Sequence, residues 1–194
     1  TDTATITVNA FNDAPRFTVG SNQIVNEDAG AQTVNGFATN ISPGPADEAV
    51  QTLTFNVSNN NNALFAVQPS IDPTTGNLTY TPAANANGSA TVTVDLSDNG
   101  GGANTSGPQT FTIVVNAVND APLNTLPSAF SVDEDTNLTL TGLSIVDADV
   151  GSGNVTVTLS VNSGALAATT GGDVTVAGSG TSSIGLTGTV ANIC

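Results

Sequence analysis

The sequence predicts an all-β chain of sandwich domains in tandem, and three observations predict it. Short segments alternate apolar and polar residues with a period of two. Clusters of Gly, Asn, Asp and Pro separate them, and one block of sequence recurs after 107 residues. Alternation at period two puts every second side chain on one face of a strand, and Gly/Asn/Asp clusters are turn chemistry.

The alternating segments are Thr3–Asn9, Thr52–Ser58, Asn77–Thr81, Ala90–Leu96, Gln109–Asn116, Asn137–Thr141, Asn154–Ser160 and Asp173–Ala177. Asn59–Asn62, Asn99–Ala103 and Gly178–Ser183 read as turns. No segment longer than ten residues has helical periodicity, so no helix of note is expected. VNAFNDAPRF from Val8 and VNAVNDAPLN from Val115 are one block in two copies, and VNED at 25–28 matches VDED at 132–135. A spacing near 107 fits one sandwich domain per repeat rather than a short solenoid unit.

Domain limits follow from the repeat. Residues 1–16 read as the last strand of a preceding domain plus a linker. Residues 17–117 read as a complete sandwich, 118–122 as a linker, and 123–194 as an incomplete second sandwich. The second domain has no evident counterpart of the strands at 90–96 and 109–116, and a sandwich without them would expose unpaired edges.

Composition narrows the function. The 194 residues hold 16 acidic side chains, 13 of them Asp, against Arg16 alone, for a net charge of -15. Phosphate contacts need Lys or Arg, which excludes nucleic acid, and anionic lipid falls for the same reason. No apolar run reaches 18 residues, so no direct membrane insertion is expected. Charged residues are only 9%, yet Val and Thr are abundant, which favours folded β structure over disorder. A catalytic reading finds no His or Lys to act as base, and the chain is expected not to be an enzyme. Seven Asn-x-Ser/Thr sequons occur, as expected by chance in a chain this rich in Asn, Ser and Thr. Carbohydrate stacking has only Tyr80 and no Trp to work with. With one Cys, Cys194, no internal disulfide forms.

The block VNAVNDAP resembles the linker signature of cadherin-like domains in giant bacterial adhesins and biofilm-associated surface proteins. PGPADEAVQTLTFNVSNNNNALFAVQP and VDEDTNLTLTGLSIVDADVGSGNVTVTLSVNSG are similar to repeats of the same proteins. The resemblance implies an Ig-like Greek-key β-sandwich fold, an extracellular or bacterial cell-surface location, and neighbouring repeats of the same protein as partners. It further implies a stalk in cell adhesion or biofilm formation, with calcium at the joints.

Calcium takes six to eight oxygen ligands, and this chain, without His, offers almost only oxygen. By the resemblance, Glu27, Asn119, Asp120, Asp147 and Asp149 would hold the ion, with Asp98 adding a ligand from the end of the first domain. The linker departs from the cadherin pattern at Ala117, where an Asp is usual, and at Ala121. The first domain has Asp47-Glu48 where the second has Asp147-Ala148-Asp149. A reading from another class is a filament of identical copies, residues 3–9 of one completing the open C-terminal domain of the next.

Overall fold

The computed structural model describes residues 3–7, 9, 11–169 and 171–193. The chain divides into two compact units, residues 1–118 and 119–194.

Unit 1 contains nine strands: β1 (Arg16–Thr18), β2 (Gln23–Asn26), β3 (Gln32–Val34), β4 (Thr39–Ser42), β5 (Leu53–Asn59), β6 (Phe65–Ile71), β7 (Leu78–Pro82), β8 (Gly88–Asp98) and β9 (Gln109–Asn116). One sheet has the order β2-β9-β8-β5 and the other β3-β7-β6, with β1 paired to β4 beside them. All pairs are antiparallel except β2 with β9, which run parallel. Two sheets in which β5, β8 and β9 oppose β3, β6 and β7 reproduce the CFG and BED halves of an immunoglobulin-type Greek key. The all-β class read from the sequence is the class observed.

The alternation in β8 shows how sequence makes this sheet. Ala90, Val92, Val94 and Leu96 are essentially inaccessible, while Thr91, Thr93 and Ser97 point outward. Across the register Leu96 faces Phe55, Val94 faces Val57 and Val92 faces Phe111. A slip of one residue would turn every one of these to water, so the register is firmly set. Aromatic pairs lock the filling: Phe17 edge-on to Phe55 at 5.1 Å, Phe37 against Phe111 at 4.6 Å, and Phe65 edge-on to Tyr80 at 6.1 Å. Burial pushes the Tyr80 phenol pKa up.

The β6–β7 hairpin turns on Asp72. Its Oδ1 accepts from the Thr74 and Thr75 amides at 3.0 and 2.6 Å and from the Thr75 hydroxyl at 2.8 Å. Gly76, at φ +70°, closes the turn where a Cβ would meet the Ala38 carbonyl. The Thr75 and Thr74 bonds hold the Asp72 carboxyl below its ordinary value. A depressed folded-state pKa contributes stability above the unfolded value and loses it as pH falls through the folded one. The expected result is that acidification below about pH 4 costs the native protein more stability than it costs Asp72→Asn. Urea midpoints at stepped pH check this, and parallel losses in the two proteins contradict it.

Unit 2 holds β10 (Leu123–Thr125), β11 (Ser144–Val146), β12 (Asn154–Ser160), β13 (Thr175–Ala177), β14 (Ser183–Thr189) and a one-turn helix, α1 (Val190–Ile193). Its strands form a β10–β11 pair and a β12-β14-β13 sheet. β10 lies 107 residues after β1, and the left-handed Asp135 (φ 58°) lies 107 after Asp28 (φ 60°). The core is thin: Ile145 and Ile184 are its buried apolar side chains among the described residues, and the unit's one Phe, Phe130, is 43% exposed.

Two expectations, both of strands, change. Described residues 3–7 and 9 form no strand, and Val8 lies outside the described residues. In unit 1 the strand at the corresponding place in the repeat is β9, which lies between β2 and β8. Residues 137–141 also form no strand, for they find no partner ladder. In unit 2, β14 pairs β12 from Asn154↔Thr189 to Ser160↔Ser183. The one-turn α1 agrees with the expectation of no helix of note.

Candidate cation sites

Loops at the two ends of unit 1 gather its buried acids. Glu27, Glu48 and Asp98 are 2%, 5% and 7% exposed. Burying a carboxylate without compensation is costly, so each calls for a partner. The chain's only basic side chain is Arg16, which is exposed on β1 and cannot neutralise three acids.

At the entry end, the segment before β1 folds back on the unit. The Asp13 amide donates to Glu48 Oε1 at 2.8 Å. Asn12 Nδ2 donates to the Ala103 carbonyl at 2.9 Å and to Asp98 Oδ1 at 3.3 Å, while its Oδ1 accepts from Gln51 Nε2 at 2.7 Å. Asp98 Oδ1 also accepts the Gly100 amide at 2.8 Å. A 3-10 turn at Ala46–Glu48 carries Glu48 inward, and Gly44 and Gly100 leave room where any Cβ would overlap Glu48 Oε2 or Asn12 Oδ1. After these bonds, Glu48 Oε2, Asp98 Oδ2 and Gln51 Oε1 remain buried with no hydrogen-bond donor.

Three unpartnered buried acceptors, on Glu48, Asp98 and Gln51, are oxygen groups of the kind that could hold a hard cation, which takes oxygen ligands only. Carboxylate and amide oxygens without His or Cys suit calcium or magnesium and exclude zinc or copper. Among the described residues no three acidic side chains already stand together as a metal-binding group. The candidate set is therefore the two buried carboxylates of Glu48 and Asp98 with amide oxygens.

At the exit end, Glu27 follows β2. Its amide donates to the Asn116 carbonyl at 3.0 Å, and its Oε1 accepts the Val118 amide at 2.7 Å, leaving Oε2 buried without a donor. β8 and β9 are antiparallel, with Gly88 opposite Val115 and Val94 opposite Gln109. Asp98, at the far end of β8, thus lies at the opposite end of the sheet from Glu27. This corrects the expectation that Asp98 serves the exit end: ten residues of strand, roughly 33 Å, separate the two ends, beyond the reach of one ion.

In unit 2 backbone amides link Asp120 to Asp149 and Asp149 to Asp147, without gathering the three carboxylates into one group. The Asp120 amide donates to Asp149 Oδ2, the Asp149 and Val150 amides donate to Asp147 Oδ1 at 3.0 Å each, and Asn119 Nδ2 donates to the Asp120 carbonyl at 3.0 Å. The two units repeat one device. Asp13 to Glu48 in unit 1 matches Asp120 to Asp149 in unit 2, each linker amide donating to an acid in the loop before the β5 or β12 strand. Gln51 and Asn12 were not singled out from sequence, and Glu48 was noted only as standing where the second domain has its Asp-x-Asp, with no ligand role. The 107-residue register, which carries Asn119-Asp120 back onto Asn12-Asp13, is the signal that finds them.

No family model matches the chain, and no curated protein matches it. Solved structures of modest likeness include the protocadherin gamma B2 extracellular cadherin domains 3–6 (17% identity, TM-score 0.41, covering 90% of this chain and 38% of that one). Others are human protocadherin-24 EC1-2, form II (21%, 0.38, 92% and 79%), and the titin domains z1z2 in complex with telethonin (16%, 0.36, 93% and 84%). All three TM-scores are below 0.5, and the fold assignment rests on the strand order above. No helix among the described residues is long and apolar enough to cross a membrane.

Proposed function

We propose that the chain is a structural repeat of an extracellular adhesin stalk in which calcium pins each entering linker to its domain. The carrying observation is the set of unpartnered buried oxygens on Glu48, Asp98 and Gln51 beside Asn12-Asp13. An ion there would hold the linker, the 46–51 loop and the end of β8 at once, turning a flexible entry into a fixed one. Asn119, Asp120, Asp147 and Asp149 form the corresponding set in unit 2, and Glu27 offers a further buried oxygen at the exit of unit 1. Extracellular modules work at calcium dissociation constants of about 10⁻⁴ to 10⁻³ M, the range suited to such a stalk on a bacterial cell surface, in adhesion or biofilm formation.

Calorimetric titration of calcium into the metal-stripped chain tests this, with thermal unfolding in calcium and in chelator beside it. Heat of binding and a raised midpoint are expected; at free calcium a hundredfold above its dissociation constant the gain is about 2.7 kcal/mol. No heat and an unchanged midpoint overturn the reading.

A further inference from the structure

The sheet edges of this chain differ in how far they invite another strand. A bare edge is a row of N–H and C=O groups open to pairing, and proteins blunt it with brevity, bulges, Pro or Lys. Most edge strands here, β2, β3 and β13 among them, have three or four residues. β6 has seven, but it contains Pro69 and shifts register twice against β7. β5 has none of these devices. Its seven residues, LTFNVSN, pair with β8 without a shift from Leu53↔Asp98 to Asn59↔Val92, and none is Pro or charged.

The outer side of β5 is open. Asn60 donates its amide to the Thr91 carbonyl in continuation of the β5–β8 register, so even-numbered residues turn their backbone groups to β8. Leu53, Phe55 and Val57 turn theirs away, and among the described residues no group bonds to them. Their side chains pack on the core of unit 1, while Thr54, Asn56 and Ser58 stand exposed on the outer face of the sheet. β5 is thus held firmly on one side and offers a ready ladder on the other. β12 is the other long edge, but Ile145 and Ile184 are the buried apolar side chains of its unit among the described residues, against 15 in the cluster behind β5. β5 is the firmer template.

The segment also fits itself. Laid antiparallel on a second copy about a two-fold axis at Asn56, all seven residues overlap, and Phe55 exchanges both backbone bonds with Val57 of the second copy. Thr54 then faces Ser58, and no like charges stand opposite each other. The acid nearest the axis is Asp95, whose Oδ1 accepts Asn56 Nδ2 at 2.6 Å. The two Asp95 side chains would lie three strand spacings apart, roughly 14 Å, which exceeds the Debye length at physiological salt.

We infer that β5 is a homophilic docking edge: two copies of this chain join β5 to β5, antiparallel, into one continuous sheet of order β2-β9-β8-β5-β5-β8-β9-β2.

Sedimentation velocity over a concentration series tests this on the full chain carrying Cys194→Ser, in calcium and in chelator alike. A monomer–dimer equilibrium is expected. Asn56→Cys in that background should give a disulfide-linked dimer on air oxidation, since a pair on the axis brings the two Cα atoms to about 4.5 Å. Thr54→Lys with Ser58→Lys sets Lys opposite Lys twice. It should weaken the dimer roughly tenfold, although it reduces the net charge of -15 and with it the general repulsion between copies. Thr54→Lys with Ser58→Glu sets Lys opposite Glu twice and should restore the dimer or tighten it. Both positions are exposed, so the Tyr80 unfolding transition should persist in each variant. A monomer at every concentration overturns the inference. So does a dimer that keeps its native affinity in the Lys–Lys variant, or one that breaks only when Thr156 and Thr158 on β12 are changed to Lys, for the contact then lies elsewhere.

Discussion

In calcium-free buffer, Glu48→Gln is expected to raise the unfolding temperature of unit 1, and in calcium the same change is expected to lower it. Glutamine keeps the Oε1 acceptor that receives the Asp13 amide and matches the shape beside Gly44. It removes only the charge. Without an ion that charge is buried at 5% exposure, with Oε2 lacking a donor and no internal cation to offset it. Uncompensated buried charges cost about 3–5 kcal/mol, so relief of on the order of 2 kcal/mol, or roughly 10 °C, is expected in chelator. With calcium bound the charge is a ligand, and its loss removes most of the ion's contribution, about 2.7 kcal/mol at a hundredfold saturation. Asp98→Asn should behave alike, since it keeps the Gly100 bond. Tyr80 is the chain's one Tyr, there is no Trp, and the ring is buried in unit 1, so its fluorescence reports this transition alone. Were these acids simple turn caps, Glu48→Gln would weaken a charge-assisted bond and lower the midpoint in both buffers. The sign in chelator separates the two.

How much of this was legible in the sequence depends on where the information lies. Strands β5, β8, β9 and β12 were readable because each has seven or more residues and alternates cleanly, so the pattern itself names the buried face. β1 to β4 were not, since three or four residues are too few to show a period and each is defined by its neighbour's ladder. β6 was hidden by Pro69, which a central strand would reject but this sheet edge tolerates. Residues 3–7 and 137–141 alternate well and still form no strand, because alternation offers a face and a strand also needs a partner. For the acids, local spacing picked out Asp147-Ala148-Asp149 but passed over Glu48, whose environment depends on a turn, two close-packed glycines and a strand end fifty residues away. The parallel β2–β9 pair left no local mark at all. It follows from closing the Greek key, which no short segment encodes.

Replacing Phe111 by Ala is the substitution expected to damage unit 1 most. The ring is 3% exposed on β9, faces Val92 across the register and packs on Phe37 at 4.6 Å. Truncation removes its transfer free energy, leaves a cavity between the two sheets, and forfeits a ring pair worth about 0.5–1.5 kcal/mol. A loss of about 3–5 kcal/mol follows, lowering the unit 1 midpoint by roughly 15–25 °C. The surroundings cannot easily collapse, because Val92, Ile113 and Leu96 sit on strands whose registers are fixed from both sides. Two controls assign the effect to burial. Thr110→Ala, one residue earlier on the same strand but facing water, should stay within about 0.5 kcal/mol. Phe130→Ala removes the same ring from unit 2, where it is 43% exposed, and should leave the Tyr80 transition in place. If Phe111→Ala shifts the urea midpoint no more than Thr110→Ala, the core drawn around β8 and β9 is not what holds unit 1 together. Comparable loss from all three would instead mean that the two units unfold as one, and the division near residue 118 would then have no thermodynamic meaning.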